Sequence, residues 1–318
     1  MTDERSPGPP APPVDSPAVT AGLIAVAVAG ISFSAPIVVA ISVPALAVAF
    51  WRNAFGAIAS ASYVAVRGRG EWLRLFRGDR RPLVAAVGAG LALAVHFALW
   101  VPSLRLTTVT ASTALVTTTP VWTVALDRLR GRAVPAGVIV GVAAAMSGVL
   151  LITGVDAGRS GRAAAGDLLA LAGGIAAAVY VSAGEHARRR MSTASYTFTA
   201  YSTCAVLLLI TCLAGRQRIA GDGYDARTWG LLLLLTLCAQ LVGHTLLNRA
   251  LAVAGATTVS LSILLETPGA ALVAWVWLGQ EPPALVIPGA ALVVAGIALV
   301  VWTRRVANVT MTEPPPAG

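Results

Sequence analysis

The chain has 318 residues, of which 57% are hydrophobic and only 12% are charged. Soluble domains carry about a quarter charged residues, and the few charges here lie between long apolar stretches, so the composition excludes an ordinary soluble protein. The formal net charge of +9 comes from arginines between those stretches, where they act as topology signals, and nucleic-acid binding is therefore not expected.

Ten apolar segments are long enough to cross a bilayer, because about 20 helical residues span the hydrocarbon core. They are residues 18–40, 44–66, 82–104, 107–126, 134–154, 166–184, 193–214, 228–250, 256–278 and 284–303. The uncharged run up to Trp51 could also form one tilted span, but Pro44 favours a helix break. The second span then continues to Val66. The predicted fold class is an all-α integral membrane protein with ten transmembrane helices.

The arginines predict the orientation of these spans. With the N-terminus in the cytoplasm, sixteen arginines lie in cytoplasmic segments and six outside, which is a clear positive-inside bias. An even number of spans also places the C-terminus in the cytoplasm. The use of Arg in place of Lys, with abundant Ala, Gly and Val, indicates a GC-rich bacterial genome, so the predicted location is the inner membrane of a bacterium. Residues 1–17 and 304–318 are predicted to be disordered tails, and residues 155–165 an external loop.

An internal repeat divides the chain into two halves. A shift of 148 residues, from 96 to 244, aligns them without a gap. It matches His96 with His244, Thr110 with Thr258, Ser112 with Ser260, Thr119-Pro120 with Thr267-Pro268, Gly141 with Gly289 and Gly148 with Gly296. The repeats are residues 18–154 and 166–303, and each holds five spans. Because five is odd, the second copy is inserted upside down, an architecture found in secondary transporters.

Short motifs recur along the two halves in a fixed order. They are Arg52 in the second span, Ala111-Ser112 through Pro120 in the fourth, Gly141 and Gly148 in the fifth, Gly166-Asp167-Leu168-Leu169 opening the sixth, and Leu265-Glu266-Thr267-Pro268 with Gly279-Gln280-Glu281-Pro282 around the ninth. With these motifs the chain resembles the ten-helix EamA-type members of the drug/metabolite transporter superfamily over residues 18–303. It departs from their pattern in two places: Thr267 separates Glu266 from Pro268, and Gly131-Arg132 stands where the family often has Gly-Glu.

The resemblance implies secondary transport, and in particular export, of a small metabolite, amino acid or drug by alternating access. The expected partners are this small molecule and the lipid bilayer. The sequence has no P-loop and no cluster of metal ligands, so an enzyme, a cofactor and a metal site are not expected. The alternative is a non-transporting membrane scaffold, or an integral enzyme acting on lipids; a central polar cavity would favour transport.

Arg52 and Glu266 are the only arginine and carboxylate predicted deep inside spans, where a charge costs about 2.5–3.5 kcal/mol and normally has a partner. Arg52 could anchor a substrate carboxylate or phosphate, or it could be structural and bind backbone carbonyls at the Pro44 break. Glu266 could couple transport to protons, or it could form a fixed ion pair with Arg52 or cap a helix near Pro268. Both pairs of alternatives remain open from the sequence.

His96 and His244 are equivalent in the two repeats. Inversion is expected to place them in opposite halves of the membrane, so that they do not meet, and a shared metal site is not expected. Each of them lines the permeation path or serves helix packing.

Pro120 and Pro268 each remove one backbone hydrogen bond and are predicted to kink the fourth and ninth spans, which makes them candidate hinges. Freed backbone groups are tolerated in a membrane only beside protein or a wet cavity, so the residues around the two prolines are candidate cavity residues: Thr117, Thr118, Thr119, Trp122 and Thr267. The alternative is a kink that serves packing alone.

Gly141 and Gly148, with their counterparts Gly289 and Gly296, recur at a seven-residue spacing on one helix face, which permits close helix packing. The predicted contact joins the fifth and tenth spans, or two copies of the chain in a homodimer.

Overall fold

The structure, a computed structural model, describes residues 16–107, 109–153, 161–279, 281 and 284–312. Within these ranges the regular secondary structure is helical, which confirms the all-α fold. The α-helices are α1 (Pro17–Ser32), α2 (Ser34–Ala40), α3 (Ala45–Tyr63), α4 (Arg69–Arg77), α5 (Arg81–Ser103), α6 (Val109–Val116), α7 (Thr119–Leu129), α8 (Ala136–Thr153), α9 (Gly161–Arg188), α10 (Thr193–Ala214), α11 (Ala226–Leu235), α12 (Thr245–Ile263), α13 (Glu266–Leu278) and α14 (Val286–Thr312).

Five helical stretches are long and apolar enough to cross a membrane: Pro17–Ala40, Arg81–Ser103, Gly161–Arg188, Thr193–Ala214 and Ala226–Ile263. Two shorter helices are also apolar, Ala136–Leu151 and Ile287–Thr303. These helices support a multi-pass membrane protein. The count of ten spans is not confirmed, because several predicted spans are divided into shorter helices.

The break expected near Pro44 is present. Helix α2 ends at Ala40, the chain is extended at Ile41, and Pro44 precedes the first turn of α3. The guanidinium of Arg105 donates hydrogen bonds to the carbonyls of Ile41, at 3.1 Å, and of Val43, and so satisfies backbone groups that the break leaves free. A single tilted span from Ser16 to Trp51 is therefore excluded.

Two π-helical stretches were not predicted. Val64–Gly68 continues α3 into α4, so the helix itself continues past Val66. Thr236–His244 joins α11 to α12 within the predicted eighth span. A π-helix has an i→i+5 hydrogen-bond pattern that no residue preference in the sequence encodes, and such stretches are frequent at functional sites.

The predicted fourth and ninth spans are broken at positions that agree to within one residue in the 148-residue shift. Helix α6 ends at Val116 and α7 begins at Thr119; α12 ends at Ile263 and α13 begins at Glu266. The prediction that Pro120 and Pro268 kink continuous helices is therefore wrong. Both prolines lie in the first turn of a new helix, where their missing N–H removes no hydrogen bond.

Gly255 separates the predicted eighth and ninth spans. Its φ of 75° and ψ of 165° interrupt α12, in a region of backbone conformation that residues with a side chain rarely adopt. The segment Ala226–Ile263 is therefore not one straight rod, and the chain changes direction at this glycine.

Helices α8 and α14 pack with their backbones in close contact through the four repeated glycines. A Cβ atom built on Gly148 would lie 2.5 Å from the carbonyl oxygen of Gly289, and one built on Gly141 would lie 2.7 Å from that of Gly296. Since the higher-numbered glycine of one helix faces the lower-numbered glycine of the other, the two helices are antiparallel. The predicted contact of the fifth and tenth segments within one chain is thus observed.

The ends of several elements differ from their predicted positions. Helix α14 continues to Thr312, so the residues directly after 303 are helical and not a disordered tail. Helix α9 begins at Gly161, inside the predicted external loop 155–165. The rest of that loop up to 160, most of the predicted tail 1–17, and residues 313–318 lie outside the described residues.

The glycine contact predicts a stability difference between two chemically identical changes. We expect Gly148→Ala to lower the free energy of unfolding by about 1–3 kcal/mol, because the added methyl group forces α8 and α14 apart. Gly88→Ala is the control: Gly88 lies in α5 with no atom within 4 Å of a built Cβ, so alanine should be neutral or stabilising there. Denaturant unfolding in detergent measures both; equal effects would contradict the close contact.

Candidate functional site

A cavity lies at the centre of the bundle, and residues of both repeats line it. The walls are formed by Ser34 from α2, Leu93, His96 and Trp100 from α5, Val116, Thr117 and Thr119 at the α6–α7 break, Ala177, Tyr180 and Val181 from α9, His244, Leu247, Asn248, Leu251, Val259 and Ile263 around α12, and Glu266 from α13. The volume within which the centre of a water molecule fits is about 50 Å³. In this conformation the cavity therefore has room for a few waters.

Arg52 is fully buried in α3, next to the cavity but not among the described residues that line it. Its Nε donates a hydrogen bond to Oε1 of Gln240 at 3.0 Å, and its Nη1 donates one to Oγ of Ser34 at 3.2 Å. The guanidinium carbon lies 4.4 Å from the centre of the Phe97 ring, a cation–π contact. The backbone carbonyls at the Pro44 break, expected as partners of a structural Arg52, are bound by Arg105 instead.

Gln240 orients this arginine because its own amide is held at both ends. While its Oε1 accepts from Arg52, its Nε2 donates to Oδ1 of Asn53 at 3.0 Å, and Nδ2 of Asn53 donates to the carbonyl of Ala49 at 2.9 Å. Gln240 lies in the π-helical stretch Thr236–His244, which brings its side chain to the arginine. The chain of hydrogen bonds joins the two halves of the molecule.

Glu266, at the first position of α13, is 7% exposed and faces the cavity. Among the ion pairs of the described residues none includes Glu266 or Arg52, so the fixed pair between them is not observed. The N-terminus of α13 has no side-chain cap, so the expected capping role is not observed either. Its carboxylate is held by no hydrogen bond within the described ranges and is open to the cavity.

His96 and His244 both line the same cavity, although inversion was expected to keep them apart. Nδ1 of His96 lies 3.0 Å from the carbonyl oxygen of Gly173, which can only accept, so this nitrogen carries the proton, and Nε2 has no hydrogen-bond partner among the described residues. The His96 ring stacks on Trp100 with centroids 5.7 Å apart. His244 meets Phe97 edge-on, at a centroid distance of 6.1 Å.

Thr118 and Trp122, predicted beside the cavity, bind each other outside its described walls. Nε1 of Trp122 donates to Oγ1 of Thr118 at 3.1 Å, and that hydroxyl donates to the carbonyl of Leu115 at 2.7 Å. Their neighbour Thr117 lines the cavity and approaches Thr267, with the two hydroxyl oxygens 3.4 Å apart. The two helix breaks therefore meet through threonines.

Tyr180 and Asn248 form a polar strip on the cavity wall that the sequence analysis did not single out. The hydroxyl of Tyr180 donates to Oδ1 of Asn248 at 2.8 Å, and Nδ2 of Asn248 donates to the hydroxyl of Tyr201 at 3.3 Å. An asparagine inside an apolar segment was the available signal, because such an amide needs partners in the protein.

A cluster of ion pairs holds one end of the bundle together, and it too was missed. Asp127 pairs with Arg132 at 2.8 Å and accepts a hydrogen bond from Thr257 at 3.3 Å. Glu185 pairs with Arg189 at 2.7 Å and accepts from the backbone N–H of Ala256 at 3.1 Å, beside Gly255. The two carboxylates are buried and Arg132 lies within 4 Å of both, so the cluster connects α7, α9 and α12.

The role of Gln240 can be tested by its near-isosteric replacement with leucine. We expect Gln240→Leu to lower the free energy of unfolding by about 1–3 kcal/mol, because Arg52 and Asn53 lose buried partners. Gln217→Leu is the control, since Oε1 of Gln217 has no hydrogen-bond partner. Denaturant unfolding in detergent compares the two, and a loss no greater than that of the control would contradict the network.

Comparisons with known proteins identify a related family and similar folds. Residues 164–302, which include Gln240, His244 and Glu266, match the model of the EamA-like transporter family. Among solved structures, 29 chains match; one crystal structure has a TM-score of 0.70 at 16% sequence identity, over 92% of this chain and 99% of its own. At that identity the likeness concerns the fold alone. The comparison with curated proteins finds no match.

Proposed function

Because its second half matches the EamA-like transporter family, which confirms the resemblance to drug/metabolite transporters, we propose that this protein is a secondary transporter. It moves a small metabolite, amino acid or drug across the bacterial inner membrane by alternating access. The observation that carries the proposal is the central cavity, which both repeats line and which contains a carboxylate, Glu266, with no ion pair or hydrogen bond among the described residues. A non-transporting scaffold would need a packed, dry centre.

The proposal includes ten spans in two inverted repeats. Several divided helices join into single spans in this view: α1 with α2, α6 with α7, and α11 with the part of α12 before Gly255. Two observations support it. The helix breaks before Pro120 and Pro268 agree to within one residue in the 148-residue shift, and α8 and α14 are antiparallel, as repeat-related helices must be when the copies are inverted.

Alternating access requires that one end of the cavity close while the other opens. We assign the closing contact on the cytoplasmic side to the cluster of Asp127, Arg132, Glu185 and Arg189, because these residues lie in the arginine-rich segments that the positive-inside rule places there. The cluster includes the turn at Gly255, a position where the backbone changes direction. Separation of these pairs is the step that opens the cavity toward the cytoplasm.

Coupling to protons is assigned to Glu266. A carboxylate that is 7% exposed, faces the cavity and has no fixed partner can exchange its charge for a proton at moderate cost. We propose that the substrate is exchanged for protons. Because protons move inward, the substrate moves outward, and the proposed direction is export.

Flux in proteoliposomes tests both parts of this assignment. We expect the wild-type protein to exchange substrate for protons when a pH gradient is imposed, and Glu266→Gln to reduce this pH-driven flux at least about tenfold, because the amide does not titrate. Glu281→Gln, at an exposed carboxylate of the same repeat, should transport normally. Unchanged pH-driven flux in Glu266→Gln would exclude coupling through this residue, and no flux of any compound would exclude transport.

A further inference from the structure

The charges that face the cavity are not balanced. Glu266 is the single carboxylate among its described lining residues, and neither Arg52 nor another arginine is included there. A carboxylate held in a largely apolar site without a partner is energetically costly, and the cost is relieved when a ligand brings a positive charge.

Arg52 attracts Glu266 electrostatically but forms no ion pair with it among the described residues, and it is not placed to receive an anion. Two of its nitrogens are bound to Gln240 and Ser34, and its planar face lies against Phe97. Its remaining nitrogen, Nη2, has no hydrogen-bond partner and is enclosed by protein. A substrate carboxylate in the cavity would therefore have to displace Ser34 or Phe97 to reach the guanidinium.

The other polar groups on the wall add no positive charge for an anion, although Nε1 of Trp100 has no hydrogen-bond partner and can donate a neutral hydrogen bond. The imidazoles of His96 and His244 each lie against an aromatic ring, and the hydroxyl of Tyr180 is already bound to Asn248. The free Nε2 of His96 is an acceptor when Nδ1 holds the proton, so it can receive an ammonium N–H but cannot donate to a carboxylate.

An apolar surface that includes an aromatic ring completes the site. Trp100 stacks on His96 and lines the cavity together with Leu93, Val116 and Ile263. The face of an aromatic ring carries a negative potential that attracts ammonium groups. The ring can also stack on an aromatic ring of the ligand.

Resting on the proposed transport function, we infer that the substrates of this site are organic ammonium ions with an apolar or aromatic body, bound by Glu266 through their positive charge. Zwitterions such as free amino acids bind more weakly, because Glu266 repels their carboxylate. Anions are excluded by the charge of Glu266.

Four probes that share a phenyl ring and a short chain separate these classes. They are phenethylamine, which is a cation, phenylalanine, a zwitterion, 3-phenylpropionate, an anion, and 2-phenylethanol, which is neutral. We expect calorimetric titration of the purified wild-type protein at neutral pH to give the tightest binding for phenethylamine and the weakest for 3-phenylpropionate. Phenylalanine or 3-phenylpropionate binding as tightly as the amine would overturn the inference, and so would the absence of phenethylamine binding.

Variants then assign the charge preference to Glu266. Glu266→Gln should weaken phenethylamine binding about 10- to 100-fold, the range of a charge-assisted hydrogen bond, and leave 2-phenylethanol binding unchanged. Glu281→Gln should alter neither. Unchanged phenethylamine binding by Glu266→Gln would contradict the assignment, and the wild-type order of the four probes decides the substrate class even if this variant does not fold.

Binding and flux distinguish this inference from the function on which it rests. The expected charge order in detergent without flux in proteoliposomes would support the cation site and contradict the transport function. Flux with a preference for the anion or zwitterion would support transport and contradict the cation site.

Discussion

The hydrocarbon core of a membrane offers no hydrogen bonds, so each polar group of this chain within it must find a partner in the protein or face a wet cavity. The break between α6 and α7 meets this requirement with three consecutive threonines, whose hydroxyls donate to the carbonyls of Ala114, Leu115 and Val116. The break before α3 meets it with Arg105, and the buried guanidinium of Arg52 meets it at two of its three nitrogens, with Gln240 and Ser34. Glu266 is the contrasting case: it has no such partner within the described residues and faces the cavity.

The two repeats share their helix breaks but differ in chemistry at them. In the 148-residue shift Glu266 is equivalent to Thr118, whose hydroxyl is bound to the carbonyl of Leu115 and accepts from Trp122. One break thus closes on itself through neutral hydrogen bonds, while the other presents a charge to the cavity. One of the two repeated helix breaks acquires a charge in this way, and both the proposed coupling and the proposed substrate preference depend on it.

Much of the fold was predictable because long apolar segments, an arginine bias and a repeat are visible without knowing any contact. The four packing glycines and the two histidines were found from the repeat alone. The partners of Arg52 were not predictable, since Gln240 reaches it from a π-helical stretch whose register depends on tertiary packing. Asp127 and Glu185 were missed because each lies at a helix end, where a carboxylate in the sequence looks the same whether it is solvated or buried.

The central claim is that the cavity opens to each side of the membrane in turn. Ala177 lines the cavity and is small, so a single cysteine at this position, in a chain lacking the native cysteines, reports on access. Membrane-impermeant thiol reagents applied to right-side-out and inside-out vesicles measure it directly. The account predicts labelling from both sides, with phenethylamine or a pH gradient increasing access from one side while decreasing it from the other. Labelling from neither side, or from one side only under all conditions, would contradict it.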